Sequence, residues 1–350
     1  MEEFLGSKNY NISNIKVSGS CPSNIALIKY WGKFDGQIPA NPSISYTLNN
    51  CKTNTEIAFF AEEEFSVQSF LSGNEEKKFG EKIEKYFRNI AEYLPWILSG
   101  KYIIKTENTF PHSSGIASSA SGFGAIANCL MEIDAQFSGN CDQELKVKKA
   151  SFLARSGSGS ACRSLYGGLV VWGKTAEVEE SSDFFAVPYP NSEIHSVFKS
   201  FNDWVLLIHE GEKSVSSTVG HGLMNTNPYA ERRFQEAHEN FSILKNILKI
   251  GDLPNFIKLV EHEALTLHAM MMMSDPAFIL MKTGTLEVIN KIWEFRKTTN
   301  LNLFFTLDAG ANVHLLFPAD QNEDKVQEFI IKELLPFTQN NGLVKDFMNF

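Results

Sequence analysis

Residues 111–124 read Pro-His-Ser-Ser-Gly-Ile-Ala-Ser-Ser-Ala-Ser-Gly-Phe-Gly, small residues that follow an expected strand at 102–105 and open an expected helix at 117–136. Such a helix start offers unpaired backbone N–H donors and the positive end of a dipole, and side chains this small let phosphate oxygens come close. The serine hydroxyls add donors and can reach a metal ion. A tightly packed helix on a sheet would use the same residues, so the strand-to-helix setting, more than the glycines, points to a phosphate site.

Three more segments carry reactive or charged groups. Asn24-Ile25-Ala26-Leu27-Ile28-Lys29-Tyr30-Trp31-Gly32-Lys33 sets two aromatic rings, a glycine and an ammonium together, as a substrate pocket requires. Lys33 can bind a diphosphate or favour the charged form of a nearby carboxylate; a surface lysine beside a buried ring is the plainer reading. In Ser156-Gly157-Ser158-Gly159-Ser160-Ala161-Cys162-Arg163-Ser164 serine donors lead into one guanidinium, a set matched to phosphate or carboxylate. The apolar Leu165 and Tyr166 that follow speak against a flexible linker. Thr306-Leu307-Asp308-Ala309-Gly310-Ala311-Asn312-Val313 places a carboxylate beside a glycine turn, suited to a general base or to an Asx-type turn between strands.

Other motif matches fail on their setting. Gly122 to Ala127 fits GxGxxA but lies inside the expected helix, against a dinucleotide site. Gly168 to Thr175 fits GxxxxGKT, yet Leu169, Val170, Val171 and Trp172 are strand formers and an acidic run follows. His262 and His268, near Glu263, stand six residues apart, about 240° around a helix, and cannot face one ion. Met270 to Met273 reads as core filling.

These segments need a scaffold. Strands are expected at 15–18, 44–48, 55–60, 65–70, 168–173, 205–208, 303–307 and 313–317. Helices are expected at 82–94, 143–155, 229–250, 253–271, 286–299 and 325–335. A chain of 350 residues with 43% hydrophobic content can bury two lobes, expected at 1–195 and 196–350. A net charge of −9 argues against a general nucleic-acid or anionic-membrane surface, so an anionic substrate must meet a local pocket drawn from Lys29, Lys33 and Arg163. Five scattered cysteines without CxxC spacing indicate neither a disulfide framework nor a zinc knuckle. With no signal-like start and no apolar run of membrane length, a cytoplasmic location is expected.

Taken together, residues 23–33, the 115–122 loop, residues 158–163 and 308–312 resemble the diphosphomevalonate decarboxylases of the GHMP kinase superfamily, with four blocks in the right order. Val215-Ser216-Ser217-Thr218 and His268-Ala269 followed by Asp275-Pro276 extend the resemblance over roughly 15–317. It implies an α+β GHMP kinase fold, with an N-terminal lobe like ribosomal protein S5, a ferredoxin-like C-terminal lobe, the site in the cleft between them, and a homodimer. It also implies that Tyr30, Trp31, Gly32, Lys33, Ser158, Gly159, Ser160, Ala161, Cys162, Arg163 and Thr218 contact the substrate, mevalonate 5-diphosphate. Ser114, Gly115, Ala117, Ser118, Ser119 and Ser121 would meet ATP, with Mg²⁺ reached through Ser118 or Ser119 and no dedicated protein metal site.

On that resemblance Asp308, Lys33 and Arg163 are catalytic. Asp308 orients or deprotonates the tertiary 3-hydroxyl, which is phosphorylated; phosphate then leaves with carbon dioxide, and isopentenyl diphosphate forms without a redox cofactor. Two departures stand out: Ala311 where the family commonly has proline, and Lys77 or Lys78 where an arginine is expected. The second leaves open a kinase or decarboxylase acting on mevalonate 5-phosphate or mevalonate. A catalytically silent metabolite-binding protein of the same fold is the third reading, opposed by the joint presence of Lys33 and Asp308.

Overall fold

The computed structural model describes residues 2–6, 9–61, 64–111, 116–140, 142–211 and 214–349. Strand β1 (Ile15–Ile28) runs antiparallel to the 19-residue strand β4 (Ser43–Ala61), and the two-residue strands β2 (Lys33–Phe34) and β3 (Ile38–Pro39) pair between them. Register shifts at 22/24 and 26/28 let β1 continue through Pro22 and Ser23. The strands expected at 44–48 and 55–60 are therefore one, because pairing along both its edges overrides the polar Asn49 and Asn50 in its middle.

Next come β5 (Ser66–Leu71), β6 (Asn74–Glu75), α1 (Lys77–Ile90), β7 (Gly100–Asn108), α2 (Ser118–Ser138), α3 (Gln143–Gly157), β8 (Leu169–Trp172) and β9 (Val187–Pro188). The strands line up as β6-β5-β7-β4-β8-β9, with β1 on the opposite edge of β4. Only β5 and β7 run parallel among these neighbours. Strand β8 is buried at every position and paired to β4, so the GxxxxGKT match is sheet and not a phosphate loop.

The second lobe holds β10 (Ser200–Leu206), α4 (Ser217–Leu223), α5 (Ala230–Ile250), α6 (Leu253–Met272), α7 (Thr283–Thr299), β11 (Phe304–Leu307), β12 (Val313–Pro318), α8 (Glu323–Phe329) and β13 (Leu343–Asn349). Its antiparallel sheet runs β11-β12-β10-β13. Between α5 and α6 the chain turns sharply: Gly251 adopts φ +80°, and the Asp252 carboxylate accepts the Asn255 N–H at 3.2 Å to cap α6. The expected final helix at 325–335 begins at Glu323, and its α-helical part ends at Phe329 before a π-helical turn, Ile330–Leu334.

Burial along β4 shows how the lobes join. Positions 43–48 are buried on both faces, while from Cys51 onward buried and less buried residues alternate. The doubly buried part shares one core with helices of the second lobe, in which Ile44, Tyr46 and Leu48 cluster with Phe241, Leu244, Phe256 and Val260. Each such side chain contributes about 1.5–3 kcal/mol by leaving water. Asp346 of β13 accepts the N–H groups of Asn49, Asn50 and Cys51, so the last strand grips β4 where its burial pattern changes.

Candidate active site

A cleft of about 1120 Å³ opens between the lobes, lined by the 29–33 segment, the start of α2, residues 156–160 with Arg163, α4, and Asp308 between β11 and β12. The 29–33 segment leaves β1 in a fixed course. The Lys29 N–H donates to Glu263 Oε2 at 2.9 Å, and the Lys29 carbonyl accepts from Asn41 Nδ2 at 2.9 Å. Glu263 is itself paired with Arg233 inside the second lobe, both side chains being buried. Gly32 takes φ +103°, and a Cβ there would sit 2.7 Å from the Phe234 ring, so only glycine fits.

Arg163 is a buried cation of the cleft. Its guanidinium donates to Ser43 Oγ, to Ser45 Oγ at 3.0 Å and to Asn24 Oδ1 at 3.3 and 3.4 Å, and lies over the Trp172 ring. No acidic side chain forms an ion pair with it among the described residues. Burial lowers its pKa, which the negative charge of Asp308 partly offsets. A guanidinium held by neutral acceptors in a dry site gains much from an incoming carboxylate or phosphate.

Lys29 is 1% exposed and donates to the Ala26 carbonyl at 2.6 Å. Desolvation lowers its pKa to about 8, against the opposing pull of Asp308 and Glu263. Lys33 donates to Gln37 Oε1 at 2.7 Å, and burial lowers its pKa too. The backbone carbonyl of Asp308 meets His268 Nε2 at 3.1 Å, with the nitrogen as donor, so α6 holds the turn that carries the carboxylate.

The cleft also reaches the start of α2. The chain enters this helix through its N-cap residue Ala117 at φ +41°, and no side-chain capping hydrogen bond is made there among the described residues. Ser118 and Ser119 line the cleft, and Ser119 Oγ lies 3.2 Å from Ser158 Oγ, so the α2 start touches the 156–160 segment. These uncapped N–H groups and hydroxyls fit the phosphates of a nucleotide. Among the described residues no group of three or more His, Cys, Asp or Glu could hold a metal ion.

Of the residues expected at the site, Tyr30, Trp31, Lys33, Ala117, Ser118, Ser119, Ser158, Gly159, Ser160, Arg163, Thr218 and Asp308 line the cleft. Ser114 and Gly115 lie outside the described residues. Ser121 instead faces the sheet, its Oγ 2.7 Å from Thr53 Oγ. Ala161 and Cys162 are buried in cores; the Cys162 thiol donates to the Gly159 carbonyl, and burial raises its pKa to about 12, which leaves it an inert packing group. Gly32 donates its N–H to His221 Nδ1 at 3.0 Å.

Sequence reasoning missed Lys82, Lys85 and His221, which all line the cleft. Lys77 and Lys78, considered in place of an arginine, are exposed in the first turn of α1 and do not line the cleft. Lys82 does, with its ammonium 4.8 Å from the Phe123 ring centre and its pKa lowered by burial and by the nearby Lys33. The available signal was the stripe Lys82, Lys85, Asn89 at helical spacing, beside the apolar Ile83, Tyr86, Phe87 and Ile90.

Comparison with known proteins agrees across the chain. Residues 21–184 match the diphosphomevalonate decarboxylase-like N-terminal domain, and residues 204–348 match the mevalonate 5-diphosphate decarboxylase C-terminal domain. The diphosphomevalonate decarboxylase of Saccharomyces cerevisiae is 30% identical over 334 residues, covering 90% of this chain and 81% of the yeast protein. The human enzyme of that name is 28% identical, with 90% of this chain and 78% of the relative covered. The Staphylococcus aureus mevalonate diphosphate decarboxylase structure superposes with a TM-score of 0.80 at 29% identity, covering 95% of this chain and 96% of that one. A structure of MDDEF in complex with MVAPP, AMPPCP and magnesium gives 0.80 at 28% identity, covering 96% and 98%.

Proposed function

Because this chain belongs to the diphosphomevalonate decarboxylase family, with its GHMP kinase fold, we infer that it catalyses the ATP-dependent decarboxylation of mevalonate 5-diphosphate to isopentenyl diphosphate, ADP, phosphate and carbon dioxide. The observation that carries this reading is the presence on one cleft of Asp308 and of the buried Arg163 guanidinium, which hydrogen-bonds neutral acceptors and forms no ion pair among the described residues.

Asp308 orients the tertiary 3-hydroxyl and takes its proton as the oxygen bonds to the γ-phosphorus of ATP and the bond from that phosphorus to the departing ADP oxygen breaks. The C–O bond electrons then leave with inorganic phosphate, and the C–C bond electrons form the new double bond as carbon dioxide departs. Arg163 holds the carboxylate in the alignment this fragmentation needs. Lys29 supplies positive charge behind Asp308, and Lys33 and Lys82 grip the diphosphate, with Tyr30, Ser158 and Ser160 around them. Lys82 meets the need raised by the missing arginine, which favours the 5-diphosphate over the 5-phosphate and mevalonate readings.

Ser118 and Ser119, with the α2 N–H groups, would hold the ATP phosphates and the Mg²⁺ that accompanies them. Bound Mg²⁺ neutralises phosphate charge and so lowers the cost of transfer. Division into lobes at 195/196 is supported by strand pairing, since the first sheet ends with β9 and the second begins with β10. Family membership supports a cytoplasmic homodimer. No helix among the described residues is long and apolar enough to cross a membrane.

The test is to offer Mg-ATP with mevalonate, its 5-phosphate or its 5-diphosphate, and to follow ADP and carbon dioxide together. Both products are expected with the 5-diphosphate. ADP without carbon dioxide would make the protein a kinase, and neither product with any acceptor would overturn the reading.

A further inference from the structure

His221 lies on α4, 7% exposed, against the rings of Tyr30 and Trp31, whose centroids are 4.3 and 4.5 Å away. Its Nδ1 accepts the Gly32 N–H at 3.0 Å. With Nδ1 so occupied, the proton of the neutral ring must sit on Nε2. Burial, with Lys33 beside it, lowers the imidazole pKa to about 3 despite the opposing charge of Asp308, so the ring stays neutral across the working range. Nε2 has no hydrogen-bond partner among the described residues, and it is not one of the buried polar atoms closed off from solvent. It belongs to a residue that lines the cleft.

This arrangement ties the two lobes together at the substrate. Helix α4 also carries Ser217 and Thr218 on the cleft wall, while Gly32 stands between Trp31 and Lys33 in the facing segment. One ring therefore fixes the segment through Nδ1 and keeps a directed donor on its other nitrogen. An aliphatic side chain could fill the space beside Tyr30 and Trp31 but could do neither.

We propose that His221 is a specificity-determining residue of the substrate pocket, a fixed, neutral Nε2–H donor set beside Lys33 and Asp308 that takes an anionic oxygen of the diphosphorylated substrate. The proposal deepens the function proposed above and rests on it. The donor sorts substrates by where they place oxygens, without adding another positive charge to a site already rich in lysine and arginine.

The test pairs two substitutions. In His221→Asn the amide oxygen replaces Nδ1 toward Gly32, and nothing reaches the Nε2 position; in His221→Gln the amide nitrogen reaches toward Nε2. Calorimetry should show mevalonate 5-diphosphate binding to the Asn variant about ten- to a hundredfold more weakly, the range for a hydrogen bond to a charged group. Its melting temperature and its KM for Mg-ATP should stay near wild type, and the Gln variant should recover part of the affinity. In the wild-type protein, the nitrogen NMR signal of His221 Nε2–H should move when the substrate is added. Wild-type affinity in the Asn variant would overturn the proposal, as would a loss that merely follows a lowered melting temperature with Gln no better. Wild-type protein that binds the substrate yet releases no carbon dioxide would refute the proposed function and leave the His221 contact measurable; failure to bind it at all would refute both.

Discussion

The Glu263 carboxylate accepts the backbone N–H of Lys29 at 2.9 Å, so a buried acid of the second lobe sets the course of the 29–33 segment of the first. The same carboxylate pairs with Arg233 and accepts from Asn240 Nδ2 at 2.6 Å. Breaking a buried pair by removing one charge costs about 3–5 kcal/mol. Glu263→Gln should therefore lose stability of that order in denaturant unfolding and should lower kcat as Lys29 shifts. A loss below about 1 kcal/mol would show that the pair is not holding the segment.

Asp308→Asn keeps the shape of the turn and removes the proton acceptor. A general base contributes about 10²–10⁴-fold to rate. Carbon dioxide release should fall by that factor with little change in substrate KM, and release at the wild-type rate would remove Asp308 from the mechanism.

Lys29 gives activity and stability opposite responses to alkali. Its folded pKa is lowered from 10.5 to about 8, so at neutral pH the folded protein bears a buried charge that the unfolded chain carries in water. Between about 8 and 10.5 the unfolded state binds more protons, and stability rises with pH through that window. If the ammonium is needed for catalysis, kcat falls over the lower part of the same window. Unfolding curves and rate profiles recorded from pH 7 to about 10 should diverge in this way. Lys29→Met should remove the stability trend, and its persistence would assign that trend to another group.

Lys82→Met should raise the KM for mevalonate 5-diphosphate by about tenfold or more, the worth of one charge-assisted hydrogen bond, and should leave the KM for Mg-ATP unchanged. An equal effect on both would place Lys82 at the nucleotide and not at the diphosphate.

The start of α2 was legible as a helix start because its cue is local: the small residues 117–122 follow a strand and give way to an apolar helical pattern. Asp308 and Arg163 stood out as single charges in apolar or small-residue settings. Lys82 and Lys85 did not, because on an amphipathic helix a polar stripe normally means solvent, and only the opposing lobe turns it into a cleft wall. Helix α4 escaped notice because two of its seven residues are glycine, and β13 because its pairing with β10 is a matter of distant partners and not of its own pattern. Gly32, expected at the substrate, is not among the residues lining the cleft: its φ of +103° and the Phe234 ring account for the glycine, and its N–H goes to His221.

Asp346 has a consequence for the order of synthesis. It takes the N–H groups of Asn49 to Cys51 from as many as 297 positions further along the chain, and β4 contributes to the core shared by both lobes. As the polypeptide leaves the ribosome, the first lobe must wait for residue 346 before its central strand is clasped. A premature stop only a few codons upstream of Asp346 would spare every residue that lines the cleft and still deny the nascent protein its finished frame.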